Sequence, residues 1–176
     1  MKKLLFFFSF VFLLVCLDQS LKLWVFFNQD ILSLPGWWWE KIPFFDIIYL
    51  ENSGMAFGLL NESGFWVKLF LSFFRVFAVF FMFYYVTIRF HLFSFFTLFV
   101  FGLLISGAAG NCIDSVFYEV LGFNNENIGG GLFSGNVIDM FRVSFFPPIF
   151  NLADSFITIG CFLGLFFYRK LSGLSG

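Results

Sequence analysis

Long apolar runs limit what this chain can become more than any other feature. No charged residue interrupts Leu4 to Leu17, and apolar character resumes from Leu23 to Phe27 after the short patch Asp18-Gln-Ser-Leu-Lys22. Further runs extend from Phe65 to Ile88, from Leu92 to Ile113 and from Leu152 to Tyr168. A helix rises about 1.5 Å per residue, so roughly 20 residues cross the ~30 Å hydrocarbon layer of a bilayer. The chain is 60% hydrophobic and 12% charged, against roughly 25% charged residues in soluble domains. It therefore reads as an integral membrane protein. Its 35 phenylalanines serve as lipid-facing filler rather than a binding site, because Phe and Leu are similarly favourable in lipid.

Composition also excludes whole classes of function. A net charge of -1 without a basic run leaves no footprint for nucleic acid. One histidine and three cysteines without CxxC spacing argue against a metal site, and no cofactor is expected. Cys16, Cys112 and Cys161 all fall in apolar segments and read as packing residues.

The pattern predicts four transmembrane helices, over residues 4–27, 65–88, 92–113 and 152–170, in a single membrane domain spanning 1–176. Met1-Lys-Lys followed by an apolar run has the form of a secretory signal, and Leu14-Val15-Cys16 hints at a lipoprotein cleavage site. Val15 stands where a small residue is expected, however, and the apolar character resumes beyond Lys22, which favours one uncleaved helix. Asp18 and Lys22 are four apart on it, on one face, with the acid N-terminal, which suits a structural ion pair. Lys68 is expected to snorkel to the interface and Arg75, deeper in the second span, to face protein or water. The stretch Ser106-Gly-Ala-Ala-Gly110 is the expected packing seam, since small residues let helices approach closely.

Two outer loops are expected, over 28–64 and 114–151. In the first, Trp37-Trp-Trp39 should rest on the headgroups, while Phe44 to Leu50 alternates like a strand and Asn52-Ser-Gly54 reads as a turn. Lys2, Lys3, Arg89, Arg169 and Lys170 occupy the termini and the connection between the second and third spans. The positive-inside rule then makes both termini cytoplasmic. The expected fold is an all-α membrane protein with a small extracytoplasmic β/loop subdomain over its outer end.

Candidate chemistry gathers at that outer end. Asp139 and Asp154 stand fifteen positions apart in apolar settings, and a carboxylate at the edge of hydrocarbon is costly without a use. Brought together, two such groups can share one proton, as in an aspartic protease. Asn111-x-x-Asp114 and Asn151-x-x-Asp154 each set an amide and an acid on one helical face. The plain alternative is that Asn151 merely caps the fourth helix.

Five stretches in order carry a family resemblance: Leu17-Asp18-Gln19-x-x-Lys22, Asn52-Ser-Gly54-Met-Ala56-Phe57, Gly107-Ala-x-Gly110-Asn111-x-Ile-Asp114, Gly135-x-Val137-Ile-Asp139 and Phe150-Asn151-x-Ala153-Asp154. Together they resemble those of lipoprotein signal peptidase (signal peptidase II), a bacterial membrane-embedded aspartic protease. The resemblance covers nearly the whole chain. It implies cleavage of the signal peptide from prolipoproteins, just before a cysteine already bearing diacylglycerol, at the outer face of the bacterial inner membrane. It implies Asp139 and Asp154 as the catalytic pair. Asp18, Lys22, Asn52, Gly54, Asn111, Asp114 and Asn151 become site-shaping or binding residues, and Phe57 packs over the substrate. The expected partners are that lipidated substrate and membrane lipid, with the peptidase a monomer.

Two departures from the family pattern stand out. The family usually carries arginine directly after the third-helix aspartate, whereas this chain has Ser115. Asp114, expected at a helix C-terminus where the dipole disfavours an anion, then needs another cation such as Arg142, or a proton. The connection between Asp114 and Gly135 is also unusually long and ends in Gly129-Gly-Gly131, which suggests a mobile outer loop over residues 115–134. In the expected chemistry, ionised Asp154 at its helix N-terminus activates water while Asp139 donates a proton. Competing readings are a small ion-coupled transporter using outer-face carboxylates, or an assembly protein whose polar motifs are only caps and interhelical bonds. Against transport, the acids cluster at one face and the halves show no repeat.

Overall fold

The computed structural model describes residues 2–32, 34–53, 65–125 and 131–167. Along them run α1 (Lys2–Phe27), the single turn α2 (Gln29–Leu32), a 3-10 turn (Trp38–Lys41), β1 (Phe45–Asn52), α3 (Phe65–Arg89), a 3-10 turn (Phe90–Leu92), α4 (Phe95–Leu121), β2 (Val137–Val143), β3 (Phe146–Phe150) and α5 (Leu152–Phe166). Among the described residues, three stretches, Lys2–Phe27, Trp66–Leu92 and Phe95–Leu121, are long and apolar enough to cross a membrane. α5 has 15 residues, about 22 Å at the usual rise. The architecture is that of a multi-pass, mainly helical membrane protein with a small antiparallel sheet.

α4 is the axis of the bundle and touches α1, α3 and α5. Its small residues make that possible. A Cβ on Gly107 would collide with the Ala153 carbonyl and the Ile157 side chain of α5, and one on Gly110 would sit 2.5 Å from Asp18 Oδ2 of α1. The expected seam at Ser106 to Gly110 is therefore where the close approaches occur. Both ends of α4 are capped. Ser94 Oγ accepts from the Thr97 amide at 3.0 Å, and Gly122 closes the helix at φ 70, a left-handed conformation that glycine adopts at little cost.

α3 shows the opposite character. Phe70 and Phe80 are each 69% exposed, as suits a helix turned toward lipid. Its inward stripe is polar: Lys68, Ser72 and Arg75 follow the four-then-three spacing of one helical face.

The sheet, ordered β1-β2-β3, packs on the end of the bundle where β2 meets α1 and α4. Val137 to Met140 are buried in succession, because β2 is covered on both faces rather than one. The Pro147-Pro148 pair lies in β3, at the sheet edge, where a missing N–H costs no ladder bond.

Several expectations change. α4 continues past Ile113 to Leu121, so Asp114 lies inside the helix and not at its C-terminus. Residues 115–121, expected in a mobile loop, are helical, and residues 131–135 return to pack on them: Phe133 N donates to Val116 O and Gly135 N to Ser115 O, both at 3.1 Å. The expected loop's residues 126–130 lie outside the described residues. Trp39 is 3% exposed and stacks on Trp37 with ring centroids 4.6 Å apart, so it belongs to the core under the sheet rather than to the headgroups. Lys68 does not snorkel. It is buried, and its Nζ donates to Asn136 Oδ1 at 2.6 Å.

Candidate active site

Two groups of carboxylates meet at the sheet end of the bundle. The first is built on α1 and α4. Asp18, Lys22 and Asp114 are all fully buried, and the Lys22 ammonium lies 3.0 Å from Asp18 Oδ2 and 2.7 Å from Asp114 Oδ2. It also donates to Asn111 Oδ1 at 2.9 Å. An ammonium has three donors, and three acceptors meet them. Gln19, quoted in the first-helix motif but given no role, completes the group: its Nε2 donates to Asp114 Oδ1 at 2.9 Å and its Oε1 accepts from Tyr118 Oη at 2.9 Å. The expected Asp18–Lys22 pair is thus one edge of a larger network.

This network answers the question raised by Ser115. Lys22 supplies the cation that Asp114 needs. Arg142 does not: it pairs with Asp46, its direct cross-strand partner on β1, at the exposed side of the sheet.

The second group is built on β2 and α5. Asn151 caps α5, its Oδ1 accepting from the Asp154 amide at 2.9 Å while Asp154 Oδ2 accepts from the Asn151 amide at 3.2 Å. That reciprocal capping box fixes the Asp154 carboxylate at the helix N-terminus. Asn151 does more than cap. Its Nδ2 donates to Asp139 Oδ1 at 2.7 Å and lies 3.1 Å from Asn111 Oδ1. Asn111 Nδ2 in turn donates to Asp154 Oδ1 at 2.8 Å. Both acids are therefore held by amides, joined through Asn151 and Asn111. β1 adds a further donor: Asn52 pairs with Val137, so it stands diagonal to Asp139 on one face of the sheet, and its Nδ2 donates to Asp139 Oδ2 at 2.8 Å.

The two groups are mechanically linked. Asp18 Oδ1 accepts from the Ala153 amide at 2.9 Å, which ties α1 to the first turn of α5. Lys22 and Asn111 connect the first network to Asp154. No buried side-chain nitrogen or oxygen lacks a partner among the described residues.

Asp139 is 1% exposed. Burial pushes its carboxyl up to about 7, and the charge of Asp154 adds to the rise; hydrogen bonds from Asn52 and Asn151 and the charge of Lys22 oppose it. A carboxyl so placed holds a proton near neutrality, whereas an anion at a helix N-terminus is favoured by the dipole.

Both acids open onto one cavity of about 630 Å³. Asn52, Asn111 and Arg75 line it beside them, and Phe145, Phe146, Pro148, Ile149 and Ile157 give it an apolar wall. Of the residues expected at the site, Asn52, Asn111, Asp139 and Asp154 line the cavity, and Asp18, Lys22, Asp114 and Asn151 form the bonded network behind them. Gly54 and Phe57 lie outside the described residues. Arg75 was not expected in the site. The signal for it was present in the Lys68, Ser72, Arg75 spacing, which turns one polar face of an otherwise apolar helix inward. Among the described residues, no cluster of three or more histidine, cysteine or acidic side chains could hold a metal.

A family model described as signal peptidase (SPase) II matches residues 10–169. The lipoprotein signal peptidase of Porphyromonas gingivalis is 35% identical over 195 residues, covering 92% of this chain and 82% of that protein. The lipoprotein signal peptidase of Clostridioides difficile is 33% identical over 166 residues, covering 91% and 95%. A solved structure described as a bacterial membrane enzyme, obtained by the in meso method at 2.3 Å resolution, superposes with a TM-score of 0.62 at 26% identity, covering 97% of this chain and 91% of that one.

Proposed function

The chain belongs to the signal peptidase II family, and from that premise we infer that Asp139 and Asp154 form an aspartic dyad sharing one proton. The protein is a peptidase that removes signal peptides from prolipoproteins. The comparisons lend no support to the ion-coupled transporter.

One observation carries the dyad. Two carboxylates face one cavity, each fixed by neutral amides, and one of them is pushed up to about 7. Asp154, ionised at the start of α5, accepts a proton from the attacking water. Asp139 donates to the oxygen of the scissile carbonyl as the tetrahedral intermediate forms. On its collapse the C–N bond breaks, Asp154 passes the water-derived proton to the leaving amine, and a hydroxyl of the intermediate returns a proton to Asp139. The pair titrates as a unit, so the assignment describes the starting state. Neutral amides suit this role, since they hold both the charged and the protonated carboxyl without fixing either.

The substrate in this reading carries a diacylglyceryl cysteine. The apolar wall of the cavity matches a lipid-bearing residue, and the acids at its polar end match a peptide bond beside it. Four spans, the fourth beginning with α5, would put both termini in the cytoplasm and the dyad at the outer face of the bacterial inner membrane, in a single domain over 1–176. The chain acts as a monomer among membrane lipids, and Gly54 and Phe57 of the first outer loop border the substrate.

A proteoliposome assay separates the readings. The expected result is cleavage of a diacylglyceryl prolipoprotein by the wild type, and none by Asp139→Asn or Asp154→Asn inserted to the same level. Substantial turnover by either variant would remove the dyad. Solute flux without cleavage would return the transporter.

A further inference from the structure

A guanidinium reaches the dyad's cavity from an unexpected helix. Arg75 comes from the middle of α3 and lines the cavity together with Asn52, Asn111, Asp139 and Asp154. A cation so deep in an apolar span is costly and calls for a use. Its Nη1 donates to Ser115 Oγ at 2.5 Å. Ser115 is 1% exposed and donates in turn to Asn111 O at 2.9 Å, so its hydroxyl is fixed one helical turn from the amide that holds Asp154. Two further contacts anchor α3 along the same face: Lys68 to Asn136, and Ser72 Oγ to Phe133 O at 3.0 Å. Arg75 is therefore held in a set direction.

Charge points the same way. The region gathers the acids Asp18, Asp114, Asp139 and Asp154 against Lys22, and Arg75 interacts electrostatically with Asp114, Asp154 and Asp139. Position 115 is where the family resemblance leads one to expect arginine, one residue after Asp114. Here that position is a short hydroxyl, and its oxygen receives a guanidinium from α3.

We propose that Arg75 is a substrate-binding residue of this peptidase, donating to a carbonyl oxygen of the bound prolipoprotein beside the dyad, and that Ser115 aims it. The cation beside the dyad in this chain comes from α3, and it is bound at the position where the resemblance leads one to expect an arginine of α4. Five donors in a planar fork make a guanidinium able to hold Ser115 and a ligand carbonyl together. This inference rests on the peptidase reading above.

The test is steady-state cleavage of a diacylglyceryl prolipopeptide by the wild type, R75Q, R75K and the exchange variant R75Q/S115R, with kcat and KM separated and melting temperatures recorded. A lost charged hydrogen bond to substrate corresponds to about 10- to 100-fold in kcat/KM. The expected result is that R75Q loses this much mainly through KM, with its melting temperature kept. R75K should recover part of the loss and R75Q/S115R most of it. Wild-type KM in a folded R75Q would overturn the proposal. So would a loss that tracks melting temperature and is not recovered by the exchange, which is the signature of a structural role. If R75Q does not fold, R75K decides: it keeps the charge without the fork, so a folded R75K with wild-type KM overturns the proposal and a raised KM supports it. A substrate with ether-linked chains separates the two sources of carbonyl. A KM penalty that persists assigns the bond to the peptide, and one that disappears assigns it to the lipid ester. No cleavage by the wild type would overturn the peptidase reading itself, and this one with it.

Discussion

Two pairs of aspartates stand at the same end of the bundle and are treated in opposite ways. Between Asp18 and Asp114 lies an ammonium, 3.0 and 2.7 Å from them. Between Asp139 and Asp154 lie two amides, Asn151 and Asn111. Lysine donates and cannot accept, so it takes an oxygen of each neighbour as acceptor and fixes them in one geometry. An amide offers both a donor and an acceptor, so it orients a carboxyl and leaves its proton free to move. The first pair is thereby a scaffold, and it holds the second in place through Asp18 on the Ala153 amide and Lys22 on Asn111. Placing a cation between acids makes structure, and placing amides between them makes a proton-transfer site.

The largest expected effect comes from breaking the second pair. Asp139→Asn and Asp154→Asn each remove one member of the proton-sharing couple, and cleavage should fall by about 10³-fold or more. Each acid accepts at both oxygens, so the new amide faces one donor and stability should fall by no more than about 1–3 kcal/mol. The first pair should respond in the reverse sense. Lys22→Met leaves two buried carboxylates facing each other without their cation, a loss of about 3–5 kcal/mol in stability. Thermal unfolding in detergent checks this, and adding Asp114→Asn to Lys22→Met should recover part of the loss.

Smaller effects sharpen the contrast. Asn151→Ala removes both the α5 cap and the amide on Asp139. Loss of the cap costs about 1 kcal/mol of stability, and activity should fall by about tenfold as the acid loses its orientation. The pH dependence follows from Asp139. Its carboxyl is raised to about 7 in the fold, so it keeps its proton below that value and releases it above, and kcat should decline as pH rises past about 7. In Asp154→Asn the neighbouring charge is gone while burial remains, so Asp139 should titrate lower than in the wild type and still above an ordinary aspartate. Carboxyl ¹³C shifts report both.

Most of this site is readable from spacing. Asp18 with Lys22, and the two Asn-x-x-Asp motifs, reveal which faces turn inward, because helical periodicity converts spacing directly into geometry. The missed parts have physical reasons. Asp114 read as a helix end because an acid in an apolar span looks like an exit, yet Val116, Val120 and Leu121 carry the helix onward. β2 gives no alternation, since Val137 to Met140 are buried on both faces, and a short buried strand has no period to detect. The Lys22–Asp114 bridge joins residues of two helices, and no local pattern encodes such a pairing. Arg75 was legible as a buried cation, but its partner Ser115 lies forty positions away.

The most direct measurement is the titration of the Asp139 carboxyl carbon by ¹³C NMR in the intact protein in detergent. A midpoint near 7 would establish that Asp139 carries the dyad's proton at neutral pH, as the amide-held pair requires. A midpoint near 4, the ordinary value for an aspartate, would mean that Asp139 holds no proton at neutral pH, and would contradict the starting state on which the mechanism depends.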